Sequence, residues 1–100
     1  MAKSKPWKDH ERKAAAAIGG KRLGATGTNS PDAENEWLSI ECKAWKLGCR
    51  KAEAVLEQAE RNATSGKLPI GLIHTHGRTH AKDLVVLRWS DFLDYFGKEG

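Results

Sequence analysis

Two carboxylates and an ammonium group lie close together in the sequence between Pro31 and Lys43. Asp32 follows Pro31, and nine residues further on Glu41 begins the triplet Glu-Cys-Lys. Two close carboxylates repel each other unless a cation or a proton lies between them. Mg²⁺ prefers oxygen ligands, and the lysine ammonium can position a water or offset charge on a phosphate. These residue types are therefore suited to metal-assisted hydrolysis of a phosphodiester.

The residues that end in this triplet alternate between polar and apolar. This alternation over residues 36–43 predicts a half-buried strand. Successive side chains of a strand point to opposite faces, so Glu41 and Lys43 share one face. Cys42 is expected on the core face, where only its backbone carbonyl is free to act as a ligand.

A tight turn is predicted between Asp32 and this strand. The polar run Glu34-Asn35-Glu36 suits the turn of an antiparallel hairpin, and folding back across it brings Asp32 alongside Glu41. The same residues also allow a simpler interpretation, a solvated strand face with an ordinary Glu–Lys pair. The hairpin spacing, the apolar alternation and the flanking helices together favour a site.

The remaining elements are predicted from periodicity and from start and stop residues. The helices are expected over Pro6–Ile18, Cys49–Thr64 and Asp91–Phe96, the last capped by Ser90. The further strands are expected over Lys21–Ala25, Leu68–Thr75 and Leu84–Trp89. The run 84–87 is apolar on both faces, which is typical of a central strand covered by helices.

Pro31-Asp32 and Glu41-Cys42-Lys43, within this order of helices and strands, resemble the motifs of the PD-(D/E)XK nuclease superfamily. Within it the chain is most similar to small archaeal-type Holliday junction resolvases and related phage endonucleases, from about Trp7 to Phe96. The resemblance implies an α/β, restriction-endonuclease-like core of order αβββαββα, with a central mixed sheet flanked by helices. The chain is expected to form a single domain over residues 1–100, with residues 1–5 as a flexible basic arm.

The resemblance also implies an activity, a Mg²⁺-dependent DNA endonuclease in which Mn²⁺ can substitute. The catalytic residues that it implies are Glu11, Asp32, Glu41, Lys43 and Gln58, with the metal held by Asp32, Glu41, the Cys42 carbonyl and Glu11. Glu11 lies on the apolar stripe of the first helix, and its alternative is a stripe-edge carboxylate in water. The alternative for Gln58 is a surface residue of an amphipathic helix. The substrate class implied is branched DNA such as four-way junctions.

The composition favours a polyanionic partner. The chain has 100 residues, a net charge of +4 and a pI near 9.2, which agrees with DNA binding without requiring it. The polar loop before Pro31 and several cations are candidates for phosphate contacts, although each is individually more typical of a solvated surface. The candidates are Lys21, Arg22, Thr28, Asn29, Ser30, Lys46, Arg50, Lys51 and Arg78.

Other interpretations stay open from the sequence. They are a non-catalytic nucleic-acid-binding module, a nicking or single-cut endonuclease, and a small interaction domain. A symmetric resolvase needs a second active site, which predicts a homodimer with Trp37, Trp45 or Trp89 at its interface. No signal peptide, membrane span or lipidation motif is recognised, which favours a reducing cytoplasm, that of the host if the chain is phage-encoded.

A second cluster of chemically active side chains lies between His74 and His80. Three histidines suggest zinc, perhaps with a cysteine. The ligand rules argue against it, because Cys42 is expected in the core and Cys49 has no partner at CxxC spacing. A loop rich in His, Thr and Arg more often contacts phosphates or faces solvent.

Overall fold

The protein has a mixed α/β fold with three α-helices and two small antiparallel sheets. The structure is a computed structural model that describes residues 6–23 and 30–97, with side chains from Lys8 onward. The chain divides into two compact units, Met1–Lys46 with Tyr95–Gly100, and Leu47–Asp94. Within the described residues no helix is long and apolar enough to cross a membrane.

The first unit is built from α1 (Pro6–Ala17) and a three-stranded sheet in the order β1-β2-β3. Its strands are β1 (Lys21–Arg22), β2 (Ala33–Glu34) and β3 (Ser39–Ile40). The core is made of small residues and one isoleucine: Ala14, Ala15, Ile18 and Ala33. Ala33 has no exposed surface, so a bulkier side chain at this position would need the helix to move outward.

The link from α1 to the sheet requires a glycine. A Cβ atom on Gly20 would lie 1.9 Å from the Glu34 carbonyl oxygen, which no side chain can tolerate. The Asn35 amide, in turn, donates to the Ile18 carbonyl at 2.9 Å. The helix end and the β2–β3 turn are thereby held together.

The β2–β3 turn spans residues 35–38, closed by the Asn35 N–H donating to the Leu38 carbonyl at 3.0 Å, so it lies later in the chain than the Glu34-Asn35-Glu36 run predicts. The Asn35 side-chain oxygen accepts the N–H groups of Trp37 and Leu38 at 2.9 and 2.8 Å. An Asn side chain that bonds the backbone in this way mimics a turn. The predicted strand over residues 36–43 is therefore shortened at its start, and only Ser39–Ile40 pair as a strand.

The second unit contains α2 (Arg50–Asn62), β4 (Gly71–Ile73), β5 (Leu84–Val86), a 3-10 turn before β5, and the part of α3 (Trp89–Phe96) up to Asp94. Leu56 is the buried residue of α2. Close approach of β4 to α2 is possible because position 71 is glycine, whose added Cβ would lie 2.8 Å from Val55 Cγ1. Arg88 donates to both carboxylate oxygens of Glu60, at 2.8 and 3.2 Å, and to Glu53 at 2.6 Å.

Two predictions about this second unit are wrong. Leu84–Trp89 is not a central strand, because β5 pairs with β4 in a two-stranded sheet and Leu84 and Val85 are 63% and 57% exposed. An apolar run shows that a strand can be covered but not which elements cover it. Ser90 does not cap α3 but lies inside it, since the helix begins at Trp89, directly after the anchored Arg88.

Candidate functional site

The two parts of the predicted site, Asp32 and the Glu-Cys-Lys triplet, are connected by a hydrogen bond. The Cys42 N–H donates to Asp32 Oδ2 at 2.7 Å, so the Asp32 carboxylate reaches the backbone of the Glu-Cys-Lys triplet. Antiparallel pairing supports this contact, with Ala33 opposite Ile40 and Glu34 opposite Ser39. The hairpin thus brings Asp32 close to the triplet that begins at Glu41, as the sequence predicts.

The ladder is irregular at Asp32. Its N–H donates to the Ile40 carbonyl at 2.9 Å, although Ile40 is in register with Ala33. An extra residue on one strand is the mark of a β-bulge, which bends the strand and re-aims a side chain. The bulge explains why the Asp32 carboxylate, rather than a backbone carbonyl, receives the Cys42 N–H.

Glu11 is a buried carboxylate on α1, with 6% of the residue exposed. Its Oε1 accepts Arg22 Nε at 2.9 Å, and the Arg22 side chain is itself only 24% exposed. The stripe-edge alternative in water is therefore wrong for Glu11, because burial removes it from solvent. Burial of an ion is costly unless it is paired, and Arg22 provides that pair.

The pKa of the Cys42 thiol is raised by its surroundings. Burial raises the pKa of its half-buried thiol above the ordinary value, and the carboxylates of Asp32, Glu11 and Glu41 raise it further. A thiolate is disfavoured where negative charge accumulates. All three predicted acidic residues therefore act on one atom of the hairpin.

The donor set of this site fits Mg²⁺ in chemistry, since it consists of carboxylate oxygens. The three carboxylates are not gathered at ligand spacing. Among the residues that the structure describes, the only group of three acidic, histidine or cysteine ligands with atoms within 4.8 Å of one another is elsewhere. The Arg22 ion pair engages Glu11 Oε1 and holds the carboxylate in its present position.

The other predicted catalytic residues are exposed. Lys43 is exposed and makes no ion pair with the residues described here. Gln58 is exposed on α2 in the second unit, so its role stays a prediction.

The predicted DNA contacts are spread over both units. Lys21, Lys46, Arg50, Lys51 and Arg78 are exposed, and Ser30 is half-buried. Thr28 and Asn29 lie outside the described residues. Arg22 is half-buried, and its Nε is engaged by Glu11, which leaves only its terminal N–H groups for a phosphate.

Exposed tryptophans occur at each of the predicted interface positions. Trp37, Trp45 and Trp89 are 59%, 64% and 44% exposed. The Trp89 ring stacks on Phe92 with a centroid separation of 5.4 Å. Both cysteines are free thiols.

Sequence reasoning missed two features of the site region. The first is the ion pair between Glu11 and Arg22. The available signal was an acid on the apolar stripe of a helix that is followed by a short basic strand. The second is Asp83, which contacts two of the clustered histidines. Its signal was its place directly before the last predicted strand, at the end of the loop that carries the histidines.

Comparisons with protein-family models, curated proteins and solved structures found no match to this chain. The interpretation of the site therefore depends on the geometry described above.

Proposed function

We propose that the protein is a Mg²⁺-dependent DNA endonuclease that hydrolyses phosphodiester bonds, resolvase-like on branched DNA. The observation that supports it most is the 2.7 Å hydrogen bond from the Cys42 N–H to Asp32. This bond brings an aspartate to the backbone between Glu41 and Lys43, and a third carboxylate, Glu11, acts on the same thiol. Acidic residues beside a lysine that has no ion partner among the described residues are the residue types that metal-assisted hydrolysis of a phosphodiester uses.

Asp32 and Glu41 would hold the metal, with Glu11 and the Cys42 carbonyl as further ligands. When bound, Mg²⁺ lowers the pKa of a coordinated water and polarises the phosphate. The exposed Lys43 ammonium has three donors and can contact a phosphate oxygen or the attacking water, where it would offset developing negative charge. Arg22 counters the charge of Glu11 while no cation is present.

The fold proposed with this function is the restriction-endonuclease-like core. The chain carries helix, three strands, helix, two strands and helix in sequence, which is compatible with that core. The strand pairs observed within each unit are antiparallel. The single mixed sheet of that core goes beyond these pairs and belongs to the proposal alone.

DNA is the favoured substrate because the chain is basic and its exposed cations can release counterions from phosphates. Cutting two strands related by symmetry requires a second site, which a two-fold homodimer supplies. Exposed Trp37 and Trp45 are apolar surface that such an interface can bury. Light scattering at micromolar concentration tests the dimer, and a strict monomer with and without DNA would exclude the symmetric resolvase.

The activity is tested by incubating the full chain with Mg²⁺ and four DNA substrates: linear, nicked, flapped and four-way. We expect cleavage by the wild type and none by Asp32→Ala, with Asp9→Ala, an exposed acid on α1, as the matched control. Symmetric cuts in the four-way substrate alone support a resolvase, and single cuts in any duplex support a nicking enzyme. Binding without cleavage in Mg²⁺ or Mn²⁺ would overturn the enzyme proposal and leave a nucleic-acid-binding module.

A further inference from the structure

A compact set of ligand atoms lies where the β4–β5 hairpin opens. Ile73 and Leu84 form the last pair of that ladder, and His74 and Asp83 come next on the two strands. His74 Nδ1 lies 2.7 Å from Asp83 Oδ1, and His80 Nδ1 lies 3.4 Å from Asp83 Oδ2. The rings of His74 and His80 stack, with centroids 4.3 Å apart.

The spacing of these atoms is close to that of a metal coordination shell, and it also suits hydrogen bonds between Asp83 and the two histidines. Zn²⁺ bonds of about 2.0–2.2 Å in tetrahedral geometry place neighbouring ligand atoms roughly 3.3 Å apart. The two observed separations of 2.7 and 3.4 Å lie on either side of that value. The potential ligand atoms of the three residues all lie within 4.8 Å of one another.

Burial is graded across the cluster in a way that suits a binding site. The Asp83 side chain is 7% exposed and fixed between the two histidines, so its carboxylate is already oriented. His74 is 34% exposed and His80 is 85% exposed, which leaves the cluster open to solvent on the His80 side. A cation can enter from that side and retain water as a further ligand.

We propose that His74, His80 and Asp83 form a binding site for Zn²⁺ or a similar first-row transition metal. Imidazole nitrogens favour these ions, whereas Mg²⁺ is held by oxygen ligands. A metal bound at Nδ1 takes the place of the proton there, which in a neutral imidazole moves to Nε2, so the Asp83 carboxylate exchanges a histidine N–H for the metal. The bound metal joins the two ends of the ten-residue connection 74–83 and restricts that loop.

This site is independent of the proposed nuclease centre. It uses other residues, another class of metal and another part of the chain. The simpler arrangement, in which Asp83 accepts hydrogen bonds from two histidines and holds no metal, makes the opposite prediction about zinc.

The test is calorimetric titration of the full chain with ZnCl₂ in chelator-free buffer at neutral pH, with Co²⁺ absorption as a second readout. We expect one equivalent to bind, and His80→Ala and Asp83→Asn each to weaken binding by at least about tenfold, since even indirect partners of a metal contribute that much. His80 is exposed, so its removal should leave the fold intact by circular dichroism.

Two controls identify the ligands. His76→Ala removes a histidine of the same loop, whose ring centroid lies 6.3 Å from that of His74, and Cys49→Ser removes an exposed thiol. Both should bind zinc as the wild type does, as should Asp32→Ala, which disables the proposed nuclease centre. Absence of zinc binding, or wild-type affinity in His80→Ala and Asp83→Asn, would overturn the proposal.

Discussion

Replacing Arg22 by methionine should destabilise the protein far more than replacing another arginine of the same unit. Arg22→Met leaves the Glu11 carboxylate, in a residue only 6% exposed, without its partner. Removing one member of a buried pair typically costs about 3–5 kcal/mol. Because the Arg22 side chain is 24% exposed and water can reach part of the site, we expect about 2–4 kcal/mol.

Arg12 is the matched control. It pairs with Asp9 at the same distance of 2.9 Å, but the two side chains are 55% and 51% exposed. Exposed pairs contribute about 0–1 kcal/mol, so Arg12→Met should have little effect. The two substitutions therefore separate the effect of burial from that of losing an arginine.

Urea unfolding followed by circular dichroism measures both free energies of unfolding. A loss of 2–4 kcal/mol corresponds to a melting temperature lower by more than roughly 8 °C in a domain of this size. Mg²⁺ should partly restore the stability of Arg22→Met if Glu11 is a metal ligand, because the freed carboxylate can then bind the cation. Equal stability of Arg22→Met and Arg12→Met would refute the account of Glu11 as a buried, paired acid.

The contacts of Cys42 and Glu60 should make reactivity and stability depend on pH, and the exposed cations should make DNA binding depend on salt. Asp32→Asn removes a charge that raises the pKa of Cys42, so alkylation of Cys42 should begin at a lower pH than in the wild type. The exposed Cys49 should react alike in both proteins, and an unchanged pH profile for Cys42 would contradict the contact. The Arg88 hydrogen bond lowers the pKa of Glu60 below its ordinary value of 4.5, so this contribution to stability is present above about pH 4.5 and is lost as the pH falls further. Between about pH 5 and 3 the melting temperature of Arg88→Met should therefore fall less than that of the wild type. Parallel curves of melting temperature against pH would contradict the contact. Changing Lys46, Arg50 and Lys51 together to Ala should flatten the slope of log DNA affinity against log salt, measured by fluorescence anisotropy; an unchanged slope places the DNA elsewhere.

The elements that the sequence predicts well are those encoded by local signals. The α1 helix begins at Pro6 as predicted and ends within one residue of its predicted end, because Pro6 pre-sets the first turn and Gly19-Gly20 stops it. The α2 helix, predicted over Cys49–Thr64, is observed over Arg50–Asn62. The Asp32–Glu41 hairpin follows from a polar turn between alternating residues.

The features that the sequence does not predict depend on partners distant in the chain. The bulge at Asp32 depends on which carbonyl its N–H finds across the hairpin. The start of α3 depends on Arg88 meeting Glu53 and Glu60, which lie 35 and 28 residues earlier. Asp83 joins the histidines only because the β4–β5 register brings it to His74.

The central claim, that Glu41 and Lys43 belong to a catalytic site, is tested most directly by separating DNA binding from cleavage in Lys43→Met. Single-turnover cleavage with Mg²⁺ should slow by at least roughly a hundredfold while DNA affinity stays within a small factor of wild type, as expected for an interaction made in the transition state. Lys67→Met, which removes another exposed lysine, should cleave like the wild type. A cleavage rate for Lys43→Met equal to that of Lys67→Met would contradict the account.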